Sequence, residues 1–578
     1  MRRTVSTVIV AASCLAAAVS PALGARTQVA PGITYERVAT GGQVIHITRV
    51  NRSPLITAQP TNFGRPRGLL TSAVRARTTS GAVAAVNGDF FNWDTGVPSG
   101  LFLQDGRLVN EPEATRSALV FSQDGWMAAL QTSVEGTWQA APTTTDPAPA
   151  QFKFVNANRP ADRDTSNRTI LYTSDFSGVT PTGSKTEALI KLDAPGVVIP
   201  NRSITGTVQT VRSGGGIGIA KGFAVISGSG TGPAARVATL TPGRRITFDA
   251  ALPNIPDTAY SAMGGGPVLV VDGKAVMNGD ANGFDSSQVK GRSARTAIGQ
   301  TASGQLLLVV SEGPQEGRVG MTANEQASLM ASLGARTAIA MDSGGSSGMV
   351  IRGKLVNSVG AGERAIANGL IISYAGVQLT EPAPLVSPNG DRVSDTTTIV
   401  ARSVKEGTAN IVLRRPGKKA IRLLYRGSLG PNGMTIPVGT GKAVPPGIYD
   451  VVAQLAPADG SAPTTDSRRL VIDDTLGSLS VRRAGKGAKQ TLRTRFKLQR
   501  NARVTVQAVN AKGKVVRTLA RNRALHRGWQ TMNWNMRLGK RPLPPGTYTV
   551  RVTLRTTYRV TNQLTARFVA LKAPAATK

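Results

Sequence analysis

Asp342 ends a short apolar run, Ala338-Ile339-Ala340-Met341, and Ser343-Gly344-Gly345-Ser346-Ser347 follows at once. A buried strand that delivers one carboxylate to an open sheet edge has the parts for acid–base or nucleophilic work. The glycines let backbone N–H groups crowd around a small anion, and the serines add hydroxyls. Glu325 is a second carboxylate, in Thr322-Ala323-Asn324-Glu325 ahead of a helix-like run that closes at Gly334. Thr-x-x-Glu is also a capping box, in which the glutamate bonds the cap residue's own N–H, so both roles stand for it. Asp89 is the third, in Asn87-Gly88-Asp89-Phe90-Phe91, where Asn-Gly also fits a hairpin turn. Arg295 enters the run Thr296-Ala297-Ile298-Gly299. An arginine entering a buried strand needs an anionic partner, either a structural carboxylate or a substrate phosphate. The chain holds two histidines, His46 and His526, and one cysteine, Cys14. That leaves no multi-histidine metal site or Ser–His triad, so acid–base chemistry falls to carboxylates.

The elements that must position these groups read mainly as strands. Apolar runs over 81–86, 306–311 and 369–374 are buried-strand candidates, and 69–79 is a first helix. Hairpins are expected around Asp105-Gly106, Asp272-Gly273 and Arg352-Gly353. Residues 221–248 read as two strands about a glycine-rich turn, and 140–150, rich in Pro and Thr, as a surface loop. Met263-Gly264-Gly265-Gly266-Pro267 marks close backbone approach to a ligand or to another strand.

At 578 residues several domains are expected. Met1-Arg2-Arg3, an apolar 5–19 and the small residues Ala22-Leu23-Gly24 form an export signal over 1–24, and cleavage would remove Cys14 and with it any disulfide or thiolate metal site. No transmembrane segment is expected after that. Linker-like Glu381-Pro382-Ala383-Pro384 separates a domain at 25–378 from two similar modules at 379–474 and 475–571, with a tail at 572–578. Pro445-Pro446-Gly447-Ile448-Tyr449 and Pro544-Pro545-Gly546-Thr547-Tyr548 repeat at a spacing that suits β-sandwich domains. The fold class is therefore α+β: a β-rich catalytic domain with few helices, then two β-sandwiches. Of the +36 net charge, about two-thirds falls after Thr475, where no Asp or Glu occurs. In an exported protein such a stretch suits the anionic cell wall, acidic glycans or lipid headgroups, and an anionic cell-wall polymer is the expected partner. No nucleic acid is expected, because aromatics are sparse there and Trp529 and Trp534 suit a sandwich core.

From about Pro31 to Gly376 an ordered set of blocks resembles the phosphodiester glycosidase family. These are Asn87-Gly88-Asp89-Phe90-Phe91, Asn167-Arg168, Gly264-Gly265-Gly266-Pro267, Arg295 to Gly299, Gly320-Met321-Thr322-x-x-Glu325, Leu333-Gly334-Ala335, Asp342-x-Gly344-Gly345-Ser346-Ser347, and Arg364 with Asn368. The family usually has glycine directly after the aspartate, where this chain has Ser343. The resemblance implies hydrolysis of a sugar-1-phosphodiester on a glycosyl-phosphate polymer or glycoconjugate. Glu325, Asp342 and Asp89 would be the catalytic carboxylates. Asn87, Arg295, Gly344, Gly345, Ser346, Ser347, Arg364 and Asn368 would bind substrate. No cofactor is required; Asp89, Glu312 and Asp342 with loop carbonyls have the chemistry for calcium, but no loop of recognised spacing appears. The alternative is a non-catalytic envelope glycan-binding protein held by its basic modules. Those modules resemble the immunoglobulin-like domain of flagellar hook-capping proteins through Ser387-Pro388-Asn389-Gly390-Asp391 and the Pro-Pro-Gly-x-Tyr blocks, which implies a spacer or anchor.

Overall fold

The computed structural model describes residues 26–570, apart from 64–66, 95, 114–115, 123–126, 155, 160–163, 177–178, 195–201, 316, 361, 440–443 and 485–490. The expected export signal at 1–24 and the tail at 572–578 lie outside the described residues.

The strand that carries Asp342, Ala335–Ala340, is interior to an eight-stranded sheet, between Arg295–Thr301 and Val268–Val271. Asp342 therefore leaves the carboxyl end of a central, buried strand, as the apolar run ahead of it suggested. The unbroken apolar run is explained by burial on both faces. Ala338 and Ala340 turn to a cluster that includes Ala327 and Met330 of a helix, while Ile339 and Met341 turn to a second cluster holding Val83, Val86, Met263 and Leu370. Small side chains face the helix and larger ones fill the space between sheets.

The second cluster lies between that sheet and two five-stranded sheets. One contains Ala82–Asn87 flanked by Asn368–Tyr374 and Met349–Ile351, and the other contains Ala259–Gly264 flanked by Phe102–Gln104 and Ser117–Ser122. Another eight-stranded sheet closes its own core around Trp138, Phe154 and Phe248. Four α-helices occur among the described residues: α1 (Leu70–Ala76), α2 (Thr231–Ala238), α3 (Ser286–Lys290) and α4 (Ala323–Ser332). The first and last were expected; α2 replaces the glycine-rich turn expected within 221–248.

The three expected hairpins form, each with both turn residues in the left-handed region: Asp105 and Gly106 (φ 52° and 75°), Asp272 and Gly273 (46° and 80°), Arg352 and Gly353 (49° and 73°). That twist matches the right-handed twist of the strands.

Two β-sandwiches follow. The first packs three strands, from Gln378–Leu379, against five; the second packs three strands, from Leu476–Ala484, against four. The Pro-Pro-Gly-x-Tyr repeat has the same physical purpose in each. Tyr449 donates its hydroxyl to Pro445 O at 2.5 Å and Tyr548 to Pro544 O at 3.0 Å, pinning the chain where it enters the strand. The first sandwich is joined to the preceding unit through a buried charged seam. Arg468 donates to Asp466 at 2.6 Å and to Val29 O at 3.1 Å, while Asp466 accepts from Leu379 N–H at 2.7 Å and from Gln28 at 2.9 Å. Trp534 is in the second core, but Trp529 is 48% exposed, contrary to its expected core position.

Candidate active site

Asp89 and Asp342 each stand two residues past the end of a buried strand, and backbone bonds stitch their loops together. Asp342 N–H donates to Gly88 O at 2.9 Å, and Asn87 Nδ2 donates to Asp342 O at 2.8 Å. Asn87 Oδ1 in turn accepts from Thr296 Oγ1 at 2.6 Å and Gly348 N–H at 3.0 Å. Asn87 is thus a buried brace, with its side-chain donor and acceptor both engaged by protein. Asn368, the first residue of its strand, accepts Asp89 N–H on Oδ1 at 2.8 Å. Antiparallel pairing of Asn87 with Gly369 brings it there.

Asp89 is 2% exposed and its Oδ2 accepts Gly100 N–H at 2.6 Å. Burial pushes its carboxyl up to about 7, Asp342 pushes the same way, and Arg116 and the backbone donors pull against them. Gly264 makes this fit possible, since a Cβ there would lie 2.4 Å from Asp89 Oδ2 and 2.7 Å from Gly100 Cα. The Asp342 carboxyl is also raised, chiefly by burial, against bonds from Ser346 and Ser343 N–H (2.8 Å) and the charges of Arg364 and Arg116. Burial is thus the main cause of the rise at both carboxyls, and the charge of Asp342 adds to it at Asp89.

Two arginines complete the cluster. Arg116 lies between the rings of Phe90 and Phe284, 4.8 and 4.7 Å from their centroids, with Nε on Glu113 at 3.2 Å. Arg364 donates to Ser346 Oγ at 3.2 Å and lies 4.7 Å over the Trp93 ring. It packs against Gly345, where a Cβ would come within 2.4 Å of its Nη2. Trp93 is 59% exposed and forms an open aromatic wall. Four buried polar atoms of this cluster lack a hydrogen-bond partner: Asp89 Oδ1, Arg116 Nη1, Asn368 Nδ2 and Ser347 Oγ. Such atoms cost free energy unless something else satisfies them, so they leave hydrogen-bonding capacity for a polar ligand in this cluster.

Not every expected site residue joins this cluster. Glu325 forms the capping box: its Oε2 accepts Thr322 N–H at 3.0 Å, and Thr322 Oγ1 accepts Glu325 N–H at 3.2 Å. Its other partner is Arg292 at 2.6 Å, and neither aspartate is among its partners. Burial alone would raise its carboxyl, but the Thr322 and Arg292 contacts bring it below the ordinary range. Arg295 finds its acceptors in backbone carbonyls, donating to Met321 O at 2.8 Å and to Gln288 O and Gly291 O at 2.7 Å. These bonds tie α3 and the entry to α4 onto the sheet. Three N–H groups of the Gly344–Ser347 loop turn inward, Gly344 on Ala294 O, Ser346 on Ser343 O and Ser347 on Gly344 O, so most of its backbone supports Asp342, while Gly345 is exposed. Ser343 is extended (φ −116°), and the positive φ falls on Gly344 (65°), so serine sits after the aspartate without backbone strain. Glu312 is held by His46 Nε2 (2.9 Å), Ser358 N–H (3.0 Å) and Arg318, and does not join Asp89 and Asp342 in a calcium site. Among the described residues no group of three His, Cys, Asp or Glu side chains is placed to hold a metal.

Sequence reasoning missed Arg116 and Phe284. The signal for Arg116 was the one used for Arg295, an arginine directly ahead of a wholly buried strand, here Ser117–Ser122.

Residues 197–373 match the phosphodiester glycosidase family. The SPbeta prophage-derived uncharacterized protein YomE of Bacillus subtilis (strain 168) is 40% identical over 81 residues, which is 14% of this chain and 13% of that protein's length. Among solved structures, a hypothetical protein from Synechocystis is 20% identical over 60% of this chain and 62% of its own, with a TM-score of 0.49. The catalytic domain of zebrafish N-acetylglucosamine-1-phosphodiester alpha-N-acetylglucosaminidase, auto-inhibited by its pro-peptide, is 15% identical over 62% of this chain and 85% of its own, with a TM-score of 0.31. The chain thus resembles the phosphodiester glycosidases over a stretch that holds Asp342, Arg364 and Asn368, while Asp89 and Arg116 reach the same cluster from outside it.

Proposed function

We propose that this chain hydrolyses the bond between a sugar's anomeric carbon and a phosphodiester, outside the cell. The observation that carries the reading is buried Asp89 and half-buried Asp342, on loops bonded to each other, with two arginines and four unpartnered polar atoms beside them. The family match over 197–373 supports the substrate class. Asp342, next to Arg364, presents negative charge to the anomeric carbon and takes a proton from the attacking water. The carbon–oxygen bond to phosphate breaks as water adds. Asp89, neutral below about pH 7, gives its proton to the departing phosphate oxygen. Arg116 stabilises the phosphate charge, with its unpartnered Nη1 as the donor. Trp93 offers its face to the sugar ring. The products are a free sugar and a phosphomonoester.

The second reading, a non-catalytic glycan-binding protein, predicts glycan binding with no product released; the unstrained, extended backbone at Ser343 favours hydrolysis over it. The test is incubation of the full chain with a hexose-1-phosphodiester, following reducing sugar and phosphomonoester together. Equal release of both supports the reading. Release of an alcohol with the sugar-1-phosphate left intact would show cleavage on the other side of phosphorus and overturn it.

A further inference from the structure

We infer that the outward face of the sheet Leu476–Ala484, Thr491–Leu498 and Gly528–Trp534 binds a polyanionic glycan, a chain of sugars or polyols joined through phosphates. The chemical class of the chain rests on the proposed function above; the surface itself shares no residue with the catalytic cluster. Alternation along Thr491–Leu498 puts Leu492, Thr494, Phe496 and Leu498 into the core and leaves Arg493, Arg495 and Lys497 on the other face. The register sets Arg482 opposite Arg493 and Ser480 opposite Arg495 on one side, and Asn533, Thr531 and Trp529 opposite Arg493, Arg495 and Lys497 on the other. Four cations and an indole therefore share one face of three strands, and no carboxylate follows Thr475 anywhere in the sequence.

Directly opposed like charges destabilise a sheet pair. Cations two residues apart on one strand stand about 7 Å apart, inside the Debye length of about 8 Å at physiological salt. An anion with one charge has too little reach to relieve this row, whereas a polymer of phosphates meets it along its length. Trp529 adds what pure charge pairing does not require. It is 48% exposed, with the Arg495 guanidinium 4.1 Å over its ring. A flat apolar surface among cations fits a chain in which sugar C–H faces alternate with phosphates. The opposite sheet also carries exposed arginines, Arg517, Arg521 and Arg523, but the strand that holds them, Val515–Leu525, has no aromatic residue.

The experiment measures binding of the full chain to a polyol-phosphate oligomer with pendant hexoses, which has no anomeric phosphate and so is no substrate for the proposed hydrolysis. With Arg482, Arg493 and Arg495 changed to Gln, the slope of log K against log salt is expected to shrink by about 2, from about 0.7 per lost phosphate contact. Trp529→Ala is expected to bind the oligomer about tenfold more weakly and inorganic polyphosphate equally well, while Trp529→Phe keeps most of the affinity. Thermal melts show whether each variant folds. Equal weakening by the triple change Arg517→Gln, Arg521→Gln and Arg523→Gln would make the attraction diffuse and overturn the assignment to this face. Tighter binding of single-stranded DNA, with the same dependence on Trp529, would make the surface one for nucleic acid and overturn the glycan. Sugar-1-phosphodiester turnover, measured on the same variants, reports separately on the proposed hydrolysis.

Discussion

Replacing Asp89 by Asn should change the way stability responds to pH, and the sign follows from the raised carboxyl. An unfolded aspartate titrates near 3.8 and the folded Asp89 near 7. Its burial is therefore best tolerated below 3.8, and stability is lost as pH rises through 7. At about 1.4 kcal/mol per pH unit of displacement the whole loss is about 4 kcal/mol, of which about 2.5 kcal/mol falls between pH 5 and pH 8. Asn keeps the acceptor for Gly100 N–H and carries no charge, so the variant escapes that loss. For a unit of roughly 350 residues, about 2.5 kcal/mol corresponds to a Tm change of about 3 °C. The assay is a pair of thermal melts, wild type and Asp89→Asn, at pH 5 and pH 8 in the same salt. The variant should gain about 3 °C on wild type between the two conditions, while losing hydrolysis. Parallel pH dependence in both proteins would refute a carboxyl that is neutral near pH 7.

Other expectations follow from the same contacts. Glu325→Gln keeps the capping acceptor and loses only a half-exposed ion pair to Arg292, so stability should fall by at most about 1 kcal/mol and kcat by less than about threefold. A hundredfold loss of kcat with an unchanged melt would return Glu325 to the catalytic set. Arg116→Gln removes the cation beside both aspartates. The alkaline limb of kcat/KM should move to higher pH, since Asp89 then ionises less readily, and kcat/KM should fall by about 10- to 100-fold. An unmoved limb would separate Arg116 from Asp89. Tyr449→Phe should cost the first sandwich about 1 kcal/mol through the lost bond to Pro445 O, read as its own denaturant midpoint.

Much of the framework was legible because it rests on local chemistry. Turn pairs such as Asp105-Gly106 need left-handed backbone, and apolar runs such as Ala338 to Met341 need two covered faces. The Pro-Pro-Gly-x-Tyr repeat marked two sandwiches because the tyrosine bonds within its own block. Helix α2 was hidden because Gly232 and Pro233 lie in its first turn, where proline does no harm, and its single buried residue, Val237, leaves no apolar stripe to read. The site was harder for a different reason. Asp89 and Asp342 were both visible as carboxylates at strand ends, but their partnership depends on Gly88 O and Asn87 crossing between sheets, some 255 residues apart in sequence. Separation in sequence also hid Arg116, whose neighbours Phe90 and Phe284 lie 26 and 168 residues away on separate loops. Glu325 and Arg295 were read from residue type and spacing alone; the partners that sequence did not show are Thr322 and Arg292 for the glutamate and backbone carbonyls for the arginine. Trp529 failed the core expectation because the register puts it on the outer face with Lys497.

The proposed hydrolysis needs Asp89 and Asp342 to act together on a sugar-1-phosphodiester. Single-turnover hydrolysis of a hexose-1-phosphodiester by wild type, Asp89→Asn and Asp342→Asn tests it most directly. Each substitution should slow sugar release by about 10³-fold, about 4 kcal/mol of barrier, with substrate still bound. Wild-type rates in either variant would contradict the account.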